Sequence, residues 1–244
     1  MLPGAVAVAV VLGVLAAYDG GRLLVWDRPI TDAVVELRSA GVDRFARWVS
    51  RLGSTPVVLA AGLAGVALAA RRSRSVAVVM LVVVAARPPF EWLIKEIVAR
   101  PRPSGAQLVP GTGFSYPTGH VLAAAATWGF VPPIARLYVT RRWVWWSMTG
   151  VAGAGIGLVG WCRVWLGVHW TSDVVGAFAI AFVALSAAEA AIDRLERVAP
   201  HRRTHSDVWF VPAQRSAWWK RRRTSASAPS ESAPPATPSP PPTG

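Results

Sequence analysis

Apolar residues gather in six runs along the chain, near residues 3–18, 56–70, 76–94, 121–139, 144–161 and 174–192, with short polar or basic stretches between them. A helix needs ~20 apolar residues to cross the hydrocarbon layer of a bilayer. Extended into their flanks, the six runs predict six transmembrane helices and an all-α, polytopic membrane protein. The run at 3–18 has no basic segment ahead of it and more spans follow it, so it reads as a first span and not as a signal peptide. Arg87, Pro88, Pro89 and Glu91 interrupt the third run. Charges are costly in lipid, so these must face the protein interior, a partner or the interface. Arg87 and Glu91, four apart, are placed to pair on one helix face. The fifth run carries Gly150, Gly153, Gly155, Gly157 and Gly160, with Gly153 and Gly157 spaced for close helix packing. Packing is sufficient to explain them, and they are assigned no chemistry.

Cations fix the expected orientation. Arg71, Arg72 and Arg74 follow the second span and Arg136, Arg141 and Arg142 the fourth; a basic stretch from Arg194 to Arg223 follows the sixth. With six spans all three groups fall on one side, which the positive-inside rule makes cytoplasmic, and both termini with it. The first loop, 19–54, is mixed: its arginines are nearly balanced by Asp19, Asp27, Asp32, Glu36 and Asp43. Trp143, Trp145 and Trp146 read as an interfacial anchor.

Composition adds three exclusions. Of the 244 residues only 16% are charged, against about 25% in soluble domains, and mean hydropathy is +0.38. The net charge of +13 would suit nucleic acid, but its cations flank apolar runs, so membrane lipids are the expected partner and nucleic acid is not. Cys162 is the single cysteine, which excludes an intrachain disulfide and a cysteine-built metal site. Three regions follow: a six-span membrane domain over 1–195, a basic Trp-containing juxtamembrane segment over 196–223, and a Ser/Pro/Ala-rich tail over 224–244 that cannot bury a core and is expected to be disordered.

The polar residues of three loops are not explained by spanning a bilayer. The first places Lys95, Arg100 and Arg102 near one membrane face, cations suited to a phosphate, although juxtamembrane cations are common. In the second, Tyr116 to His120, a Thr118-Gly119 pair at a helix start offers a hydroxyl and free backbone N–H groups to an anion. His120 falls in the first turn of that helix. The third runs from Cys162 to Asp173 and holds Arg163, His169 and Asp173. A carboxylate four residues from a histidine shares its face if the segment is helical, and can fix the imidazole tautomer so that the other nitrogen serves as base or nucleophile. Ser172 or Asp173 capping the sixth helix is the plainer reading. On the six-span topology all three loops lie on the non-cytoplasmic side.

Lys95 with Arg102-Pro103 fits Lys-x6-Arg-Pro, Pro117-Thr118-Gly119-His120 fits Pro-Ser-Gly-His, and Arg163, His169 and Asp173 fit Ser-Arg-x5-His-x3-Asp. In order and spacing this resembles the three-part signature of the type 2 phosphatidic acid phosphatase superfamily. Thr118 replaces the serine of the second motif and keeps its hydroxyl. Cys162 replaces the serine of the third, and a thiol is the weaker donor. The resemblance implies metal-independent, cofactor-free removal of phosphate from a lipid phosphate or diphosphate, such as phosphatidic acid, phosphatidylglycerol phosphate or a polyprenyl (di)phosphate. It assigns His169 as nucleophile, Asp173 as its orienting carboxylate and His120 as acid and base. Lys95, Arg102, Arg163, Thr118 and Gly119 bind phosphate. A lipid phosphotransferase using the same intermediate and a non-catalytic membrane scaffold are the alternatives.

Overall fold

A computed structural model describes residues 7, 8, 11, 25–105 and 107–198. Most of the expected first span lies outside the described residues, as do the whole tail and the basic segment from residue 199 onward. The described residues form α-helices joined by loops and one 3-10 turn, with no strand among them.

The mixed 19–54 stretch, expected as a loop, contains α1 (Asp27–Glu36) and α2 (Ala40–Ser50), followed by a 3-10 turn over Arg51–Gly53. Its near-balance of charge conceals an amphipathic pattern. Val42, Ala46 and Val49, at helical spacing, join a cluster with Cys162, Trp165, Leu166 and Val168. Next comes α3 (Thr55–Ala70), with a proline in its first turn, where the missing N–H is an orphan anyway.

The third apolar run is one continuous helix, α4 (Arg74–Val98), in spite of Pro88 and Pro89. Its first turn is capped by the Ser73 hydroxyl, which accepts from the Val76 amide at 3.2 Å. It ends at Ala99, whose φ of 46° is left-handed, a conformation that costs a side-chain-bearing residue ~1–2 kcal/mol. That turn sends Arg100 into the protein interior, where it is fully buried.

The fourth run, expected as a single span over 121–139, is broken into α5 (Gly119–Trp128) and α6 (Val131–Tyr138). Pro132 and Pro133 supply no N–H to the carbonyls of Trp128 and Gly129, so the hydrogen-bond ladder cannot run through. Helix α5 is the hub. Its small side chains, Ala123 to Ala126, are buried and let α3, α4, α7 (Arg142–Trp165) and α8 (Thr171–Val198) pack around it. One core joins Val121, Leu122 and Ala125 of α5 to Ile156 and Val159 of α7 and to Val174, Ala177 and Ile180 of α8. A second joins α3, α4 and the far end of α8 through Ala69, Met80, Phe130, Ala188 and Ile192.

The α7 glycines correct one expectation. A Cβ at Gly150, Gly153, Gly155 or Gly157 would meet nothing within 4 Å, so the Gly153/Gly157 pair does not pack another helix among the described residues. Only Gly160 sits at a tight contact, where a Cβ would come within 2.8 Å of Phe178 and Val174 of α8. Trp143 and Trp146 are exposed, as an interfacial anchor requires, whereas Trp145 donates its indole N–H to the Pro132 carbonyl at 3.0 Å.

Two described helices, Arg74–Val98 and Thr171–Val198, are long and apolar enough to cross a membrane. The bent pair Ala40–Gly53 and Thr55–Ala70 makes a third if it counts as one span. Leu59, Leu63, Leu81, Val82, Val151 and Leu158 point outward from α3, α4 and α7. A surface this apolar on a closed helical bundle suits lipid, because helices satisfy their own backbone groups there.

Candidate active site

The three motif loops converge at one end of the bundle. The loop between α7 and α8 carries His169, almost fully buried, with its Nδ1 at 3.4 Å from Asp173 Oδ2. On the other side of the ring, Arg102 Nη1 lies 3.1 Å from Nε2. A guanidinium only donates, so Nε2 carries the lone pair and the ring proton sits on Nδ1, facing the carboxylate. Arg102 is fixed by backbone carbonyls: Nη1 donates to Val168 at 2.6 Å, Nε to Gly113 at 3.0 Å and Nη2 to Thr112 at 2.8 Å. Burial pulls the His169 pKa down to about 4, with Arg102 and Arg163 pushing the same way and Asp173 opposing. The imidazole is therefore neutral at physiological pH.

Asp173 is immobilised from several directions. Its Oδ2 accepts from the Ser115 hydroxyl and from the Trp170 amide at 2.9 Å, and its Oδ1 accepts from Arg100 at 2.5 Å. Arg100 does not join the phosphate-facing cations expected for it. It instead bridges Asp173 and Asp27, with Nη2 at 2.6 Å from Asp27 Oδ2, and all three side chains are fully buried. Asp27 also accepts from the Ser172 amide at 2.9 Å and hydroxyl at 2.5 Å, which caps the first turn of α8 from a distant part of the chain. Burial lowers the Arg100 pKa to about 10, against the pull of Asp173, so it remains a cation.

The second motif follows a cis peptide bond between Tyr116 and Pro117. Thr118 is the buried N-cap residue of α5, yet its hydroxyl caps no N–H and finds no hydrogen-bond partner among the described residues. His120 is half-buried in the first turn, within electrostatic reach of Arg163, His169, Lys95 and Arg87. Gly53 lies so close beneath it that a Cβ there would approach the His120 carbonyl oxygen to 2.5 Å. Arg163 is buried and donates to Ser50 Oγ at 2.9 Å, while its Nε has no partner among the described residues.

Lys95 faces the same region but is paired with Glu91 at 2.8 Å. The other oxygen of Glu91 takes Arg87, which realises the Arg87–Glu91 pairing expected from their spacing. Glu91 lies over Gly119: a Cβ on that residue would stand 2.0 Å from Oε1. A side chain at position 119 would therefore displace the Glu91 carboxylate from its pairs with Lys95 and Arg87. Cys162, in the position of the motif serine, is fully buried among Ala46, Trp165, Leu166 and Val168 and faces an apolar cluster.

Lys95, Arg102, Arg163, Thr118, Gly119, His120, His169 and Asp173 are therefore all brought to one region. Ser50, Asp27, Ser115 and the role of Arg100 were not found from the sequence. Only a balanced charge pattern marked Asp27, and no spacing links residues 73 or 145 positions apart.

A neutral histidine thus sits between the Asp173 carboxylate and the Arg102 guanidinium at one end of an apolar helical bundle, the bundle of a membrane protein. The chain belongs to the PAP2 superfamily, whose profile matches residues 60–195. Phosphatidylglycerophosphatase B of Bacillus subtilis (strain 168) is 28% identical over 160 residues, spanning 63% of this chain and 77% of that protein. The crystal structure of a transmembrane PAP2-type phosphatidylglycerolphosphate phosphatase from Bacillus subtilis superposes with a TM-score of 0.72 at 24% identity, covering 81% of this chain and 99% of that one. The crystal structure of Aquifex aeolicus LpxE gives 0.53 at 15% identity, over 70% and 96%. These structural similarities establish the fold.

Proposed function

We propose that this protein is a lipid phosphatase that hydrolyses a lipid phosphate or diphosphate through a phospho-histidine at His169. The observation that carries the reading is the placement of His169: Nε2 lies 3.1 Å from the Arg102 guanidinium, and Nδ1 lies 3.4 Å from the immobilised Asp173 without a hydrogen bond between them. In the proposed reaction Nε2 attacks phosphorus in line and the P–O bond to the lipid breaks. Burial and the neighbouring cations hold the His120 pKa at about 3 in the free protein; the negative charge of the bound phosphate raises it, so that His120 gives its proton to the departing oxygen while Asp173 stabilises the positive charge that develops on the imidazole. His120 then takes a proton from water, which attacks the phospho-histidine and releases inorganic phosphate and free His169. Arg102, Arg163 and Lys95, with the Gly119 amide and the Thr118 hydroxyl, neutralise the equatorial oxygens. The uncommitted Thr118 hydroxyl and Arg163 Nε support that role. No metal is required by this scheme, since fixed cations supply the electrostatics.

Among the substrates the motifs allow, phosphatidylglycerol phosphate is favoured by the name of the 28% identical relative. A six-span topology with both termini cytoplasmic, and with the site at the outer interface, suits a substrate whose tail stays in the bilayer.

The test is phosphate release by purified protein in detergent with a chelator present, on phosphatidylglycerol phosphate, phosphatidic acid and polyprenyl diphosphate. Wild type should be active and His169→Ala silent. Equal activity in the two, or activity that the chelator abolishes and magnesium restores, would overturn the mechanism.

A further inference from the structure

Helix α2 has two faces, and the phosphatase reading uses only one. Inward, Ala46 and Ser50 are buried, and Ser50 accepts from Arg163 of the site. Its only acidic residue, Asp43, is also turned toward the protein, where it accepts from the Trp165 indole at 2.9 Å. Outward, α2 and the 3-10 turn after it present Arg44, Phe45, Arg47, Trp48, Arg51 and Leu52, all exposed. Phe45 is 49% exposed, Trp48 62% and Leu52 40%, and the Arg51 guanidinium lies 4.0 Å above the Trp48 ring. Arg47 reaches the Leu108 carbonyl at 3.5 Å and stays exposed.

The axis bends by 45° between this segment and the apolar helix α3. An element that leaves an apolar helix at such an angle, with aromatic and aliphatic side chains interleaved with arginines, has the composition of a helix lying in the headgroup layer. The outward face carries three arginines and no carboxylate, so its charge complements anionic headgroups in particular.

We propose that the outer face of α2 docks anionic lipid, and that through it the activity of the site rises with the anionic fraction of the surrounding bilayer. Arginine charges hold anionic headgroups while Phe45, Trp48 and Leu52 enter the boundary of the acyl chains. The opposite face holds Ser50 against Arg163, so lipid docking and the phosphate-binding cation share one rigid turn. The activity readout rests on the phosphatase reading; a lipid-retention readout does not.

Wild type and Arg44→Gln/Arg47→Gln/Arg51→Gln would be reconstituted in phosphatidylcholine vesicles and in vesicles with one-third phosphatidylserine, each with the same trace of lipid phosphate. Wild type should be about fivefold faster in the anionic vesicles, the factor equivalent to one headgroup contact of ~1 kcal/mol. Added salt should erase the rise. The triple variant should match wild type in neutral vesicles and show no rise. Separately, protein extracted from the mixed vesicles should retain phosphatidylserine above its bulk fraction in wild type and at that fraction in the variant. A wild type with no charge dependence and no enrichment overturns the inference, as does a variant that keeps both. Enrichment in an enzyme inactive on every lipid phosphate overturns the phosphatase reading and leaves the docking surface standing.

Discussion

Arg100→Met removes the cation that links Asp27 to Asp173 while keeping a side chain of similar length. In the native protein Arg100 bonds Asp173 at 2.5 Å, Ser172 at 2.7 Å and Asp27 at 2.6 Å, with no exposure of either ion pair. Removing it takes this cation from two buried carboxylates that keep only their other contacts, the Ser172 amide and hydroxyl at Asp27 and the Ser115 hydroxyl and Trp170 amide at Asp173 among them. Breaking a buried pair from one side costs ~3–5 kcal/mol, against a total stability on the order of 5–15 kcal/mol. At ~2–4 °C per kcal/mol for a chain of this size, the thermal midpoint should fall by about 6–20 °C. Adding Asp27→Asn to Arg100→Met neutralises one of these two carboxylates. The double variant should therefore lose less than the sum of the two single losses, by more than ~1 kcal/mol. Thermal unfolding in detergent, followed by near-UV circular dichroism, measures all three variants. A midpoint for Arg100→Met within about 2 °C of wild type, or strict additivity, would refute the reasoning that Arg100 compensates two buried charges.

Cys162→Ser restores the family's residue but places a hydroxyl in an apolar cluster; it should cost about 1–3 kcal/mol of stability and leave the turnover of folded enzyme unchanged. Gly119→Ala drives a methyl into Glu91 and should lower phosphate release on the order of 10²-fold, the scale of a small misplacement at a reacting centre; adding Glu91→Ala should recover part of it. Because burial holds the His169 pKa at about 4 against Asp173, the acid limb of the rate profile should fall near that pH and not near the ordinary value of ~6.5. Between those two values the unfolded chain binds the extra proton, so His169 favours folding more as pH rises through the window and loses that contribution as pH falls; stability measured from pH 4 to 7 checks the sign.

The sequence by itself determined the class. Long apolar runs leave a chain few options but helices in lipid, and the three spaced motifs carry their own chemistry wherever they lie. Arg87 and Glu91 were legible as a pair because four residues on a helix bring two side chains to one face. Tertiary structure decided what sequence spacing cannot encode. Asp27 reaches Ser172 across 145 positions, and Ser50 reaches Arg163 across 113. Pro132 and Pro133 broke one expected span, since adjacent residues without N–H interrupt the ladder. Gly153 and Gly157 have the spacing of a packing face but no neighbour among the described residues; a small side chain permits an approach without causing one. Cys162 occupies a motif position, yet its helix turns it toward Trp165 and Leu166. A motif fixes residue type and spacing, but the direction each side chain points follows from which helix faces pack together.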